Sequence, residues 1–153
     1  MSMKETVALT KAMINTGEML KLSNRQIIDK HCIGGVAGNR TTMIIVPILA
    51  AAGLTVPKTS SRSITSPAGT ADTMEVLADV SLTLQKIRRI VKKTGACMVW
   101  GGAVDLAPAD DTIINVEHPL SIDAEGQLLA SIMAKKGSVS ATHLIIDIPV
   151  GKD

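Results

Sequence analysis

Apolar residues recur at helical spacing early in the chain. Leu9, Met13 and Leu20 share a side and Gly17 is a weak point, which predicts one helix or two short ones over residues 4–21. Ile27 and Ile28 then form a short β-like run into Asp29, Lys30, His31 and a glycine-rich turn. The pattern predicts a helix over 40–52, stopped by Gly53, and a short extended piece from Val56 into the hydroxyl-rich stretch 59–66. Helices are predicted over 67–78 and 82–93, and a buried strand over 96–99 that ends in Gly101 and Gly102. An irregular Pro- and Asp-rich stretch follows, then a helix over 124–136 and a long apolar strand over 143–150.

Short strands alternating with amphipathic helices predict right-handed βαβ units. The expected fold class is α/β, a mostly parallel sheet with flanking helices, preceded by a piece of a small helical domain. The last strand runs into Gly151, Lys152 and Asp153 where such a fold places a helix, so a fragment is expected.

Composition narrows the picture. With one Trp and no Tyr or Phe among 153 residues, the chain has no stacking platform for single strands or splayed bases. A net charge of +2 is too near neutral for a nucleic-acid or membrane footprint. At 46% apolar the chain builds its core from Ala, Val, Ile, Leu and Met. The longest apolar stretch, 43–54, carries Pro47 and Gly53 and falls short of the roughly 18 residues a spanning helix needs. Lys4, Glu5 and Lys11 stand where a secretory apolar region would be, and Cys32 and Cys97 lack metal or disulfide spacing, so a cytoplasmic protein without metal is expected.

Three constellations carry candidate chemistry. In Asp29-Lys30-His31-Cys32-Ile33-Gly34-Gly35-Val36-Ala37-Gly38-Asn39-Arg40, glycines let backbone N–H groups approach an anion and Lys30 and Arg40 supply countercharge. An ordinary βα turn with surface cations is the alternative. Cys32 beside His31 is badly placed for proton transfer, since neighbours on a strand point to opposite faces, and an inert, buried Cys32 is expected. In the second, Thr59 to Thr70, seven hydroxyls and Arg62 converge on a strand end and a helix start, a dense donor array for an oxyanion or sugar. Capping by Ser66 ahead of Pro67, or by Thr70, accounts for one or two of them. In the third, Ser131 and Lys135 share a helical face and Asp123 stands near that helix's start. Here the alternatives are an N-capping Asp123 and lysines in a solvated last turn.

Taken together, the blocks Leu9-Thr10-Lys11-Ala12-Met13, Asp29 to Val36, Leu106-Ala107-Pro108-Ala109-Asp110 and Ala130 to Lys136 resemble the thymidine/pyrimidine-nucleoside phosphorylase family over nearly the whole chain. Thr65-Ser66-Pro67-Ala68-Gly69-Thr70 replaces the Gly-His-Thr-Gly-Gly-Thr loop of the thymidine enzymes, and Asn115 to Leu120 replaces the region of their base-recognising Arg. Both variants are similar to the archaeal-type AMP phosphorylases. Cys32 replaces the Ser that follows Lys-His in the thymidine enzymes and removes one phosphate donor.

The resemblance implies phosphorolysis of a nucleoside 5′-monophosphate to base and ribose 1,5-bisphosphate, or, as the alternative, of a pyrimidine nucleoside to base and pentose 1-phosphate. It implies phosphate contacts at Lys30, His31, Thr42, Ser60 and Thr70. Gly35, Ser61, Arg62, Ser63, Ile64, Thr65, Ser66 and Ser131 would line the nucleotide site, Asp123 would be the proton donor and Lys135 a base contact. No cofactor is implied, inorganic phosphate being a co-substrate, and the parent protein is expected to be a homo-oligomer without nucleic-acid or membrane partners. Residues 1–23 correspond to part of the helical domain and 24–153 to the first half of the α/β phosphate-binding domain, so the isolated piece is expected to be weakly active or inactive. Two rivals stand beside this reading. One is a non-catalytic phosphate-binding fragment. The other is a phosphoribosyltransferase, whose Gly-Thr-Gly-Gly or Mg²⁺-binding acidic pair is not found.

Overall fold

The computed structural model describes residues 1–23, 26–32, 40–60, 62, 69–120, 122, 124–148 and 150. Its elements are α1 (Met3–Asn15), β1 (Ile28–Cys32), α2 (Thr41–Ala51), β2 (Val56–Ser60), α3 (Thr70–Glu75), α4 (Leu84–Thr94), β3 (Ala96–Trp100), α5 (Pro108–Leu120), α6 (Glu125–Ser138) and β4 (His143–Asp147). A short 3₁₀ turn, Gly101–Val104, follows β3.

The expected sheet is corrected. Helices hold 55% of the described residues and strands 17%. The strands form two separate two-stranded ladders, β1 with β4 and β2 with β3, each parallel. The two ladders touch through one parallel bridge, Ile27 to Thr55. The reason is Pro57. Val56 donates its N–H to the Gly95 carbonyl at 2.8 Å and Ile28 donates to the Thr55 carbonyl at 2.8 Å, so the backbone groups of Val56 face β3 and those of Thr55 and Pro57 face β1. The alternation next requires an N–H at residue 57, and proline has none. The next donor on β1, the Lys30 N–H, turns instead to its neighbour Asp29 Oδ1 at 2.8 Å.

The helices follow local rules. Ser2 caps α1 in a reciprocal capping box with Glu5, whose carboxylate accepts the Ser2 N–H at 2.6 Å. Thr83 caps α4, which buries Ile87 and Val91 and ends at Gly95 in the left-handed region (φ 81°). α3 starts at Thr70, and its entering N–H, that of Gly69, is taken by Asp72 at 3.0 Å, so Thr70 is the first helical residue rather than a cap. Ser66 and Pro67 lie outside the described residues. α5 occupies much of the stretch read as irregular. Pro108 opens it and Asp110 and Asp111 stand in its first turn, the arrangement a helix start favours.

One core cluster gathers Leu20, Ile87, Val99, Leu106 and Val139, all at or below 3% exposure, where α4, β3, the segment after α1 and the end of α6 meet. A second joins Met13 of α1 to Ala130 and Ala134 of α6. The small alanines let the two helices approach closely. Among the described residues no helix is long and apolar enough to cross a membrane.

Candidate functional site

Alternation along β1 sends Lys30 to one face and Asp29 and His31 to the other. On the first face Lys30 is completely buried, and its ammonium donates to Asp147 Oδ2 at 2.8 Å and to Thr42 Oγ1 at 3.3 Å. β1, β4 and the first turn of α2 thus meet at one cation.

The second face lies under α6. Lys136, 3% exposed, donates to Asp29 Oδ2 at 2.8 Å. One residue earlier, Lys135 donates to Ser131 Oγ at 2.8 Å and bonds Asp110 of α5. Lysines of a solvated last turn are therefore excluded: both ammonium groups are buried and paired. Lys58 of β2, 3% exposed, completes this group, its ammonium bonding the Thr59 carbonyl.

This crowd of cations governs His31. Burial first, then the charges of Lys136, Lys58, Lys135 and Lys30, push its pKa down to about 3. At neutral pH the imidazole is uncharged, so toward an anion it is an N–H donor and not a countercharge. Lys58 is itself pushed down to about 7 by burial and by Lys136, against the opposing pull of Asp29.

Of the residues expected from the sequence, the structure joins Lys30 to Thr42 and Ser131 to Lys135, and sets His31 in the field of all four lysines. Ser60 ends β2 and Thr70 opens α3, both half-buried. Arg62 is held by Glu75 at 2.6 and 2.7 Å and by Asp72 at 3.1 Å, and its guanidinium lies 4.6 Å over the Trp100 ring. Gly35, Ser61, Ser63, Ile64, Thr65, Ser66 and Asp123 lie outside the described residues. Cys32 is half-buried rather than buried; Cys97 is the enclosed thiol. Sequence reasoning missed Lys58, Lys136 and Asp147 as members of the site. A lysine directly after apolar residues in a short strand, as in Val56-Pro57-Lys58, is the signal that could have found the first.

Two short parallel ladders within a mainly helical chain thus bring buried lysines together with carboxylates and hydroxyls. Residues 24–141 match the family described as Glycosyl transferase family, a/b domain, and the chain belongs to that family. It is 60% identical over 152 residues to the AMP phosphorylase of Pyrococcus furiosus, covering 99% of this chain and 30% of that protein. It is 59% identical over 151 residues to "Putative thymidine phosphorylase 1" of Acidovorax sp., again 99% of this chain and 30% of the relative. The chain thus spans about 30% of the length of the curated relatives it matches. In fold it is similar to anthranilate phosphoribosyltransferase from Thermus thermophilus, with a TM-score of 0.74 at 20% identity over 94% of this chain and 43% of that one.

Proposed function

We propose that this chain supplies the phosphate-binding part of a nucleoside or nucleotide phosphorylase, a pentosyltransferase. The observation that carries the reading is the gathering of four buried lysines about β1, Lys30 on one face and Lys58, Lys135 and Lys136 on the other, in a chain 60% identical to a phosphorylase. In the reaction a phosphate oxygen bonds to the anomeric carbon as the glycosidic C–N bond breaks, and the electron pair of that bond leaves with the base. The site must hold a dianion and give the departing base a proton. Lys30, with Thr42, is the proposed anchor of the anion; Ser60, Thr70 and the neutral His31 add hydroxyl and N–H donors. Asp123 is the proposed proton donor and Lys135, held by Asp110 and Ser131, the proposed base contact.

We take a pyrimidine nucleoside over AMP as the substrate, because thymidine phosphorylase is the name carried by several relatives at 57–61% identity, among which the AMP phosphorylase stands at 60%. The deciding experiment measures base release by the full-length protein from thymidine, uridine, AMP, CMP and UMP, with and without phosphate. Phosphate-dependent release from the nucleosides alone supports this reading, and release from the monophosphates alone moves the assignment to a nucleotide phosphorylase. Release from none of them, or release indifferent to phosphate, overturns phosphorolysis.

A further inference from the structure

Charge matching in the lysine group is incomplete. Lys30 has Asp147, Lys135 has Asp110 and Lys136 has Asp29. Lys58 has a backbone carbonyl, that of Thr59, and among the described residues no carboxylate within ion-pair distance. A lysine at 3% exposure with no carboxylate partner among the described residues is costly, its ammonium being met there by a backbone carbonyl and by the neighbouring Lys136. Its position explains its presence. Ser60 lies two residues further along β2, so its side chain leaves the strand on the same face. His31 stands close enough for the charge of Lys58 to act on it.

We propose that Lys58 is a further anion-binding residue of this site, the cation whose counter-charge is the incoming phosphate group, so that the anion and a proton bind together. The proposal rests on the phosphorolytic reading and deepens it. The charged and titratable groups around Lys58 are Asp29 and His31 on the α6 side of β1, Lys135 and Lys136 of α6 with Asp110 of α5 behind Lys135, and, from the opposite face of β1, Lys30. Three of these are cations and one is a neutral imidazole, while the carboxylates are already bonded to lysines. Burial first, and then these charges, hold Lys58 at about 7, so near neutral pH it carries only part of a proton; a dianion arriving among the same groups favours the charged form. By linkage, binding the anion raises the proton affinity of Lys58, and protonating Lys58 raises the affinity for the anion by the same factor.

Sulfate is the probe, because it stays a dianion where phosphate itself titrates. Calorimetric titration of the full-length protein with sulfate at pH 7, in two phosphate-free buffers of different ionisation heat, counts the protons taken up. The wild type is expected to take up part of a proton per sulfate, and its sulfate affinity to fall by up to about tenfold per pH unit above neutrality. Lys58→Met should abolish the uptake and weaken sulfate by about tenfold or more; Lys58→Arg, charged throughout, should bind sulfate with no uptake and a flat pH profile. Proton-neutral sulfate binding by the wild type overturns the proposal whether or not the variants fold, and so does uptake unchanged in Lys58→Met. If base release nevertheless depends on phosphate, the phosphorolytic reading survives without Lys58. If neither sulfate nor inorganic phosphate binds, both readings fall.

Discussion

Lys136 and Asp29 form a buried ion pair, Nζ to Oδ2 at 2.8 Å, with both side chains below 5% exposure. It ties the last turns of α6 to the second residue of β1, and the other Asp29 oxygen accepts the Lys30 N–H that the missing β1–β2 ladder leaves over. One carboxylate therefore serves both a helix and a strand.

Removing one partner of this pair strands the other charge in the interior. Asp29→Asn or Lys136→Met alone should cost about 3–5 kcal/mol, whereas the double replacement should recover much of the loss, because no unpaired charge then remains. Urea denaturation of the four proteins measures this; equal losses in the single and double variants would show that the pair is not the unit.

His31 makes stability depend on pH in acid. Its folded pKa, about 3, lies below its ordinary 6.5, so between these values the unfolded chain binds more protons than the folded one. Its contribution is complete above pH 6.5 and is lost as pH falls toward 3. His31→Gln should flatten the decline of melting temperature across that window, as thermal scans at half-unit intervals would show.

The two thiols should separate by reactivity. Burial, assisted by Asp29, pushes Cys97 up to about 12, so almost no thiolate exists at pH 7.5, while Cys32 is half-buried. One equivalent of maleimide should label Cys32 in the native protein, and Cys97 only after unfolding. Labelling of Cys97 at the faster rate would contradict the packing around β3.

Gly17 meets the chain where a side chain would not fit. A methyl there would press on the Asp105 carbonyl and stand 2.8 Å from the Ala107 nitrogen, both backbone atoms with little room to yield. Gly17→Ala should destabilise by about 1–3 kcal/mol through overpacking, read as a lower urea midpoint. An unchanged midpoint would mean that the 105–107 segment shifts freely.

Asp123→Asn tests the proposed proton donor. Asparagine matches aspartate in size and in its accepting oxygen but carries no transferable proton. Turnover by the full-length protein should fall by at least ~10²-fold, with melting temperature nearly unchanged. Near-normal turnover would leave the leaving-group acid to another residue.

Elements that periodicity announces were legible in the sequence, among them α4, with Ile87 and Val91 one turn apart, and the β1–loop–α2 order around Lys30. α5 was not, because its apolar positions are sparse and two prolines suggested a break, although Pro108 and the acids after it are a start signal. The division of the sheet turns on which edge of β2 receives the missing N–H of Pro57, and this is known only once β3 is placed. The burial of Lys135 and Lys136 was hidden for a similar reason. Both pair across large sequence gaps, with Asp110 and Asp29, and charged residues in a last helical turn ordinarily face water. Motif resemblance reached Lys30, Thr42, Ser131 and Lys135; nothing local marks Asp147.

The break at Pro57 also orders events in folding. Val56 pairs with Ala96 across α3 and α4, whereas Ile28 must wait for His143, near the far end of the described chain. A continuous sheet would have tied the two closures together. With one bridge between them, β2–α3–α4–β3 is free to close first as the shorter-range unit, and the β1–β4 pairing, with the larger loop entropy to overcome, follows once α6 has been made. Amide protection should therefore arise in Val56–Trp100 before it arises in Ile28–Cys32, and the lysine group, assembled from both halves, should be among the last features to form.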